Sequence, residues 1–151
     1  SRKIGAGAPP IKTAHGWLLV YYGVDERDAG RYKLGAMLLD LARPERVRYR
    51  SREPILEPSD WYEDGGHKAG VIYPCGAVVK NGTLFVYYGG SDSYVCVASA
   101  DLDQFLSELM DTEQPKLVRR HRLVDDDLGQ VAERRRGHVG EQGVAPALGD
   151  R

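Results

Sequence analysis

The segment GWLLVYYG at residues 16–23 returns 66 residues later as GTLFVYYG at residues 82–89, so both copies share the frame Gly-x-Leu-x-Val-Tyr-Tyr-Gly. An internal repeat constrains architecture more than any single motif, because each copy must solve the same packing problem. The surroundings repeat too: an extended segment, a tight turn, an apolar strand ending in Tyr-Tyr-Gly, a polar loop and a further strand. That order describes a meandering antiparallel sheet used twice. One such sheet cannot bury both its faces alone. Stacking several sheets radially as blades of a β-propeller is one solution, and a β-sandwich accommodates the same strands. In the propeller reading each Tyr-Tyr-Gly is the inner part of a blade, where Gly lets the chain turn.

The rest of the chain fits this frame. APPIKT (8–13) is a short extended piece, held to a sheet entry or edge by Pro9 and Pro10. WLLVYY (17–22) is apolar throughout, as a strand buried on both faces would be. RYKLGAMLLDL (31–41) reads as a strand, and VRYRS (47–51) alternates as a half-exposed outer strand does. Residues 53–70, with two Pro, three Gly and five acids, read as a long loop. VIYPCGAVVK (71–80) is a strand interrupted at Pro-Cys-Gly, Asn81-Gly82 predicts a two-residue hairpin, and SYVCVASADL (93–102) is a third strand. DQFLSELM (103–110) predicts a helix with Phe105, Leu106 and Leu109 on one stripe. PKLVRRHRLV predicts one more strand, and 125–151 reads as irregular. The basic runs 119–122 and 134–136, beside Asp125–Asp127 and Glu133, read as solvated surface. The expected division is a partial propeller over 1–118 (blade one about 3–58, blade two about 70–118) and a C-terminal tail over 119–151.

Composition narrows the classes. With 151 residues, the chain is about one domain. A net charge of −1 provides no general field for nucleic acid or an anionic membrane. Eighteen Gly and nine Tyr, against two Phe, favour β-structure with many turns. Cys75 and Cys96 have no zinc-ligand spacing and read as reduced thiols, with no metal expected. No apolar run reaches the ~18 residues of a membrane span. SRKIGAGAPP lacks the apolar core of a signal peptide, so the expected location is cytoplasmic. The chain opens without Met on what reads as mid-domain sequence.

Three segments carry a resemblance: AGAPPIKTAHGWLLVYYGVD; YKLGAMLLDLARPERV with REPILEP behind it; and GVIYPCGAVVKNGTLFVYYGGSD with VASADLDQFL. Together, over about residues 3–106, they resemble the C-terminal half of glycoside hydrolase family 130, the inverting mannoside phosphorylases and related β-mannosidases. The resemblance implies an all-β, five-bladed-type propeller with an axial site, of which this chain would supply two to three blades.

Residue by residue, the resemblance implies that Lys12 of PPIKT, Tyr32 of RYKLGA and the position of Tyr22 line a phosphate site. Fixed cations lower the cost of holding a dianion beside an anomeric carbon. Tyr22 is a departure, because the phosphorylases usually read Tyr-His-Gly where this chain has Tyr21-Tyr22-Gly23. A phenol carries no positive charge, which turns weight towards a hydrolase or a degenerate site. Ala69-Gly70 likewise stands where Pro-Asn is common. Asp92 matches an aspartate that binds sugar in the −1 subsite. His67, Tyr73 and Trp61 lie in or next to the loop before Pro-Cys-Gly, where aromatic rings suit stacking on sugar or hydrophobic packing. Lys12 and Asp92 are thereby expected on one side of the molecule.

The general acid that the resemblance implies, an Asp of the N-terminal half, has no counterpart here, so no catalytic residue is assigned to this chain. Inorganic phosphate is the only co-substrate implied, with no other cofactor. The expected function is that of a truncated relative of the enzymes acting on β-mannosides, incomplete for catalysis as a single chain. The alternative is a non-catalytic carbohydrate-binding or vestigial fragment. Open blade edges and faces predict a homodimer or larger assembly, with a β-mannoside as ligand and neither nucleic acid nor membrane as partner.

Overall fold

The computed structural model describes residues 3–111 and 113–120, and the expectations for 121–151 lie outside the described residues. Two antiparallel sheets form, one around each Tyr-Tyr-Gly strand. In the first, β1 (Lys3–Ala6) and β2 (Ile11–Lys12) both pair with β3 (Trp17–Val24), followed by β4 (Tyr32–Leu39) and β5 (Val47–Arg50). The second runs β6 (Ile72–Lys80), β7 (Thr83–Gly90), β8 (Tyr94–Asp101) and β9 (Val118–Arg119). Pro9 and Pro10 fall between β1 and β2, on the edge of the first sheet, where a missing N–H costs no ladder bond. The Pro-Cys-Gly interruption is a register shift in edge strand β6, between Pro74 and Gly76.

The β6–β7 hairpin closes through Asn81 and Gly82, both at positive φ (50° and 73°), which matches the right-handed twist of the strands. The β7–β8 hairpin does the same with Ser91 and Asp92 (51° and 53°), a less tolerant pair. Ser93 N–H donates to the Gly90 carbonyl across that turn.

Adjacent tyrosines on a strand face opposite ways, and each doublet uses this differently. Tyr21 lies over Gly35, its partner across the ladder, where a Cβ would sit 2.3 Å from the ring. Tyr22 points the other way, over Gly5, where a Cβ would come within 2.6 Å of the ring. In the second copy Tyr88 is fully buried and Tyr87 is exposed. Gly23 and Gly89 do not turn the chain as expected. Both stay inside their strands, with the turns following downstream, and nothing lies closer than 3.9 Å to a Cβ built at either.

One buried cluster joins both sheets. Leu18, Val20, Leu34, Ala36 and Leu38 come from the first; Leu84, Val86, Tyr88 and Ala98 come from the second. The helix α2 (Leu102–Met110) adds Phe105, Leu106 and Leu109, the expected stripe, and Asp101 caps its start by accepting from Gln104 N–H. Burial of an apolar side chain of this size contributes about 1.5–3 kcal/mol.

Three expectations need correction. Strand β3 is buried mainly on one face, since Trp17 and Leu19 are only half-buried. The 53–70 loop is not merely polar. Ile55 and Leu56 are in the core, and Leu34 exchanges backbone bonds with both of them. It also contains a short helix, α1 (Trp61–Asp64), inside a capping box of Asp60 and Glu63. Finally, Arg119, the first residue of the basic run 119–122, is not solvated surface, while Arg120 is exposed. Arg119 lies in β9 and ion-pairs with the fully buried Glu63, while Arg120 donates to Ser99.

Candidate functional site

The two sheets meet where Tyr32 N–H donates to the Gly70 carbonyl at 2.9 Å, beside a parallel bridge from Tyr32 to Val71. Three tyrosines gather at this seam. Tyr22 stacks on Tyr32 at 5.4 Å and lies 4.8 Å from Tyr73, ring centre to ring centre. Two lysines come to the same place. Lys3 Nζ is 3.5 Å from the Tyr32 hydroxyl, and Lys68 Nζ sits 5.1 Å above the Tyr32 ring. Among the described residues neither ammonium is in an ion pair. Aromatic faces attract these cations, and the single bond that Lys3 donates to the Tyr32 hydroxyl leaves further ammonium donors for an anion.

The remaining sugar-side residues adjoin the seam. Lys68 N–H donates to the Ser91 carbonyl and His67 N–H to Ser93 Oγ, binding the loop of His67 to the turn of Asp92. His67 and Asp92 are both exposed. Ser91 is fully buried at positive φ, and its hydroxyl has no hydrogen-bond partner among the described residues. The turn that presents Asp92 is thus a strained one.

Lys12 does not join them. It pairs with Trp17, which faces Leu39, at the opposite end of the first sheet from Tyr22 and Tyr32, and its Nζ sits 5.9 Å from the Trp17 ring centre. Five residues of strand separate Trp17 from Tyr22, roughly 17 Å. Asp92 lies at the seam end, so Lys12 and Asp92 are at opposite ends rather than on one side. The two lysines that do reach the cluster, Lys3 and Lys68, were missed by sequence reasoning. The signal for Lys3 is register: with Gly5 opposite Tyr22, Lys3 faces Val24, which faces Tyr32.

Behind the seam, α1 is fixed by a buried network. Glu63 accepts from Ser59 and Asp60 N–H, from the Tyr88 hydroxyl at 2.8 Å and from Arg119. Burial pushes its carboxyl up, but Arg119 and these donors outweigh that and hold it below the usual carboxylate range. The same burial, with the Glu63 charge nearby, pushes the Tyr88 phenol up and the Cys96 thiol up to about 11. Cys75 and Cys96 are both free. No group of metal-ligating side chains occurs among the described residues, and none of their helices is long and apolar enough to cross a membrane.

A family model described as beta-1,4-mannooligosaccharide phosphorylase matches residues 1–112. The chain belongs to glycoside hydrolase family 130. It is 45% identical over 102 residues to a 1,2-beta-oligomannan phosphorylase of Thermoanaerobacter sp. (strain X514), covering 68% of this chain and 34% of that protein. It superposes on the β-1,2-mannobiose phosphorylase of Listeria innocua, solved with β-1,2-mannobiose, with a TM-score of 0.66 and 40% identity, covering 71% of this chain and 30% of that one. Another family-130 structure, from work on family members that hydrolyse β-1,2 mannosidic linkages in Candida mannan, gives a TM-score of 0.58 at 30% identity, covering 66% of this chain and 30% of that one. The chain thus spans about a third of the length of the family-130 relatives it matches. Its two meander sheets are blades of the family-130 β-propeller.

Proposed function

We propose that the seam between the two sheets forms the anion- and sugar-binding side of a family-130 site for β-mannosides. One observation carries this reading: Lys3 and Lys68, with no carboxylate partner among the described residues, converge on the Tyr22–Tyr32–Tyr73 cluster. Inorganic phosphate suits the ammonium groups, and Asp92, His67 and Tyr73 offer hydrogen bonds and ring faces to a mannosyl unit. Tyr22, an uncharged donor, keeps hydrolysis open beside phosphorolysis. In an inverting step the attacking phosphate or water needs a proton donor on the opposite face of the sugar, and no residue of this chain is assigned that role. The role proposed for this chain is therefore binding.

The test is titration of the protein with inorganic phosphate and with β-1,2-mannobiose, followed by phosphorus NMR and an assay for mannose 1-phosphate. Binding of either ligand that weakens in Lys3→Ala and Tyr32→Phe supports the reading. Binding that is unchanged in both variants, or absent, rejects it. Mannose 1-phosphate formed by the isolated chain rejects the claim of incompleteness.

A second feature bears on assembly. Tyr87 and Val78 share the outer face of the second sheet with Val95, which is 87% exposed. An apolar face of this kind fits a second copy, and a homodimer is the proposed state. Two free cysteines fit a reducing compartment, and the cytoplasm is the proposed location.

A further inference from the structure

Trp61 opens α1 and is 59% exposed, an unusual setting for the largest apolar side chain. It is not loose. Tyr62 and Tyr94 each hold it edge-on at 5.6 Å, at 85° and 78°, and lie 6.3 Å from each other. The helix beneath is anchored by Glu63, whose carboxylate is wholly buried. Tyr94 follows the Ser91–Asp92 turn directly, and the turn is tied to His67 and Lys68. Through Tyr94 the three rings therefore adjoin the turn that presents Asp92.

We propose that Trp61, braced by Tyr62 and Tyr94, is a stacking platform for an additional pyranose unit of a β-mannoside longer than a disaccharide. A pyranose has an apolar C–H face that lies flat on an indole, while its hydroxyl edge stays in water or reaches nearby polar groups. Asp60 accepts from the Tyr62 hydroxyl and ion-pairs with Arg119, and Asp64 ion-pairs with Arg31, so the polar neighbours in sequence hold the helix and its bracing ring in place. A ring already fixed by two neighbours loses little freedom on binding, which favours affinity. The inference deepens the reading of the seam as a β-mannoside site and assigns Trp61 to chain-length selectivity.

The chain has two tryptophans, so Trp17→Phe leaves Trp61 as the only indole. This variant is titrated with β-1,2-mannobiose and β-1,2-mannotetraose while indole fluorescence is followed. The expected result is a Trp61 emission change with the tetraose and affinity at least fivefold tighter than for the biose. Trp61→Ala, in the otherwise unchanged chain, removes that advantage by calorimetry, leaves biose affinity unchanged, and keeps its circular dichroism. Trp61→Phe retains part of the advantage. A tetraose advantage that survives Trp61→Ala overturns the platform while the seam reading stands. A tetraose that perturbs Trp61 when the biose fails to bind supports the platform and overturns the seam. No oligosaccharide binding at any length, or Trp61 emission that responds only to protein concentration as a self-contact would, overturns the platform.

Discussion

Arg119 grips Glu63 with two nitrogens, Nε to Oε1 at 3.0 Å and a terminal nitrogen to Oε2 at 2.8 Å. This fork joins the last described strand to the helix that carries Trp61, across 56 residues of sequence. Glu63 has no exposure, so removing Arg119 strands its carboxylate in a dry site, whereas Arg119 also pairs with Asp60 at 3.2 Å. Arg119→Ala is expected to cost about 3 kcal/mol, read as a fall in melting temperature on the order of 10 °C. A double-mutant cycle with Glu63→Gln should show strong coupling, and additive losses would contradict the fork.

The same pair sets an acid limit. Its folded-state pKa lies below the ordinary 4.5, so Glu63 contributes stability above that value and loses it as pH falls through the carboxylate range. Melting temperature measured from pH 7 down to pH 3 should fall more steeply in the native chain than in Glu63→Gln. Parallel slopes would exclude Glu63 as the titrating group.

For the anion site, Lys3→Ala should weaken phosphate binding at least fivefold, and Lys12→Ala should leave it unchanged, since Lys12 sits at the other end of the sheet. Tyr22→His offers a gain in function. An imidazole there adds positive charge near its pKa of about 6.5, so phosphate should bind more tightly at pH 6 than at pH 8 in this variant only. Calorimetry at the two pH values reads the difference.

The placing of the lysines shows where sequence reading stops. The repeated Tyr-Tyr-Gly announces both sheets, Asn81-Gly82 announces a hairpin, and Phe105, Leu106 and Leu109 announce α2, because each signal is local and periodic. Lys12 and Lys3 flank the same Pro-rich stretch, and choosing between them requires the register of β1 and β2 on β3, which is a long-range property. Glu63 and Arg119 are likewise ordinary charges in a loop and a basic run until folding places them together. Conversely, the glycine after each tyrosine pair has a strong sequence signal and no tight contact to explain it.

Self-association is the remaining expectation. Val95 lies opposite Gly89, which faces Tyr73, while Tyr87 faces Val97 and Val78 faces Phe85, so these residues share one face of the second sheet. That face is exposed at Val95, Tyr87 and Val78, and in water it favours burial against a like surface. A charge introduced at its most exposed point should separate the copies without touching the core. Val95→Glu is expected to move the protein from dimer to monomer in sedimentation velocity at micromolar concentration, with the melting temperature of the monomer little changed. The outward direction of Val95 predicts that Val78→Glu acts in the same sense. Lys12→Glu, on the other sheet, should leave the dimer intact; a native chain that sediments as a monomer would refute the interface outright.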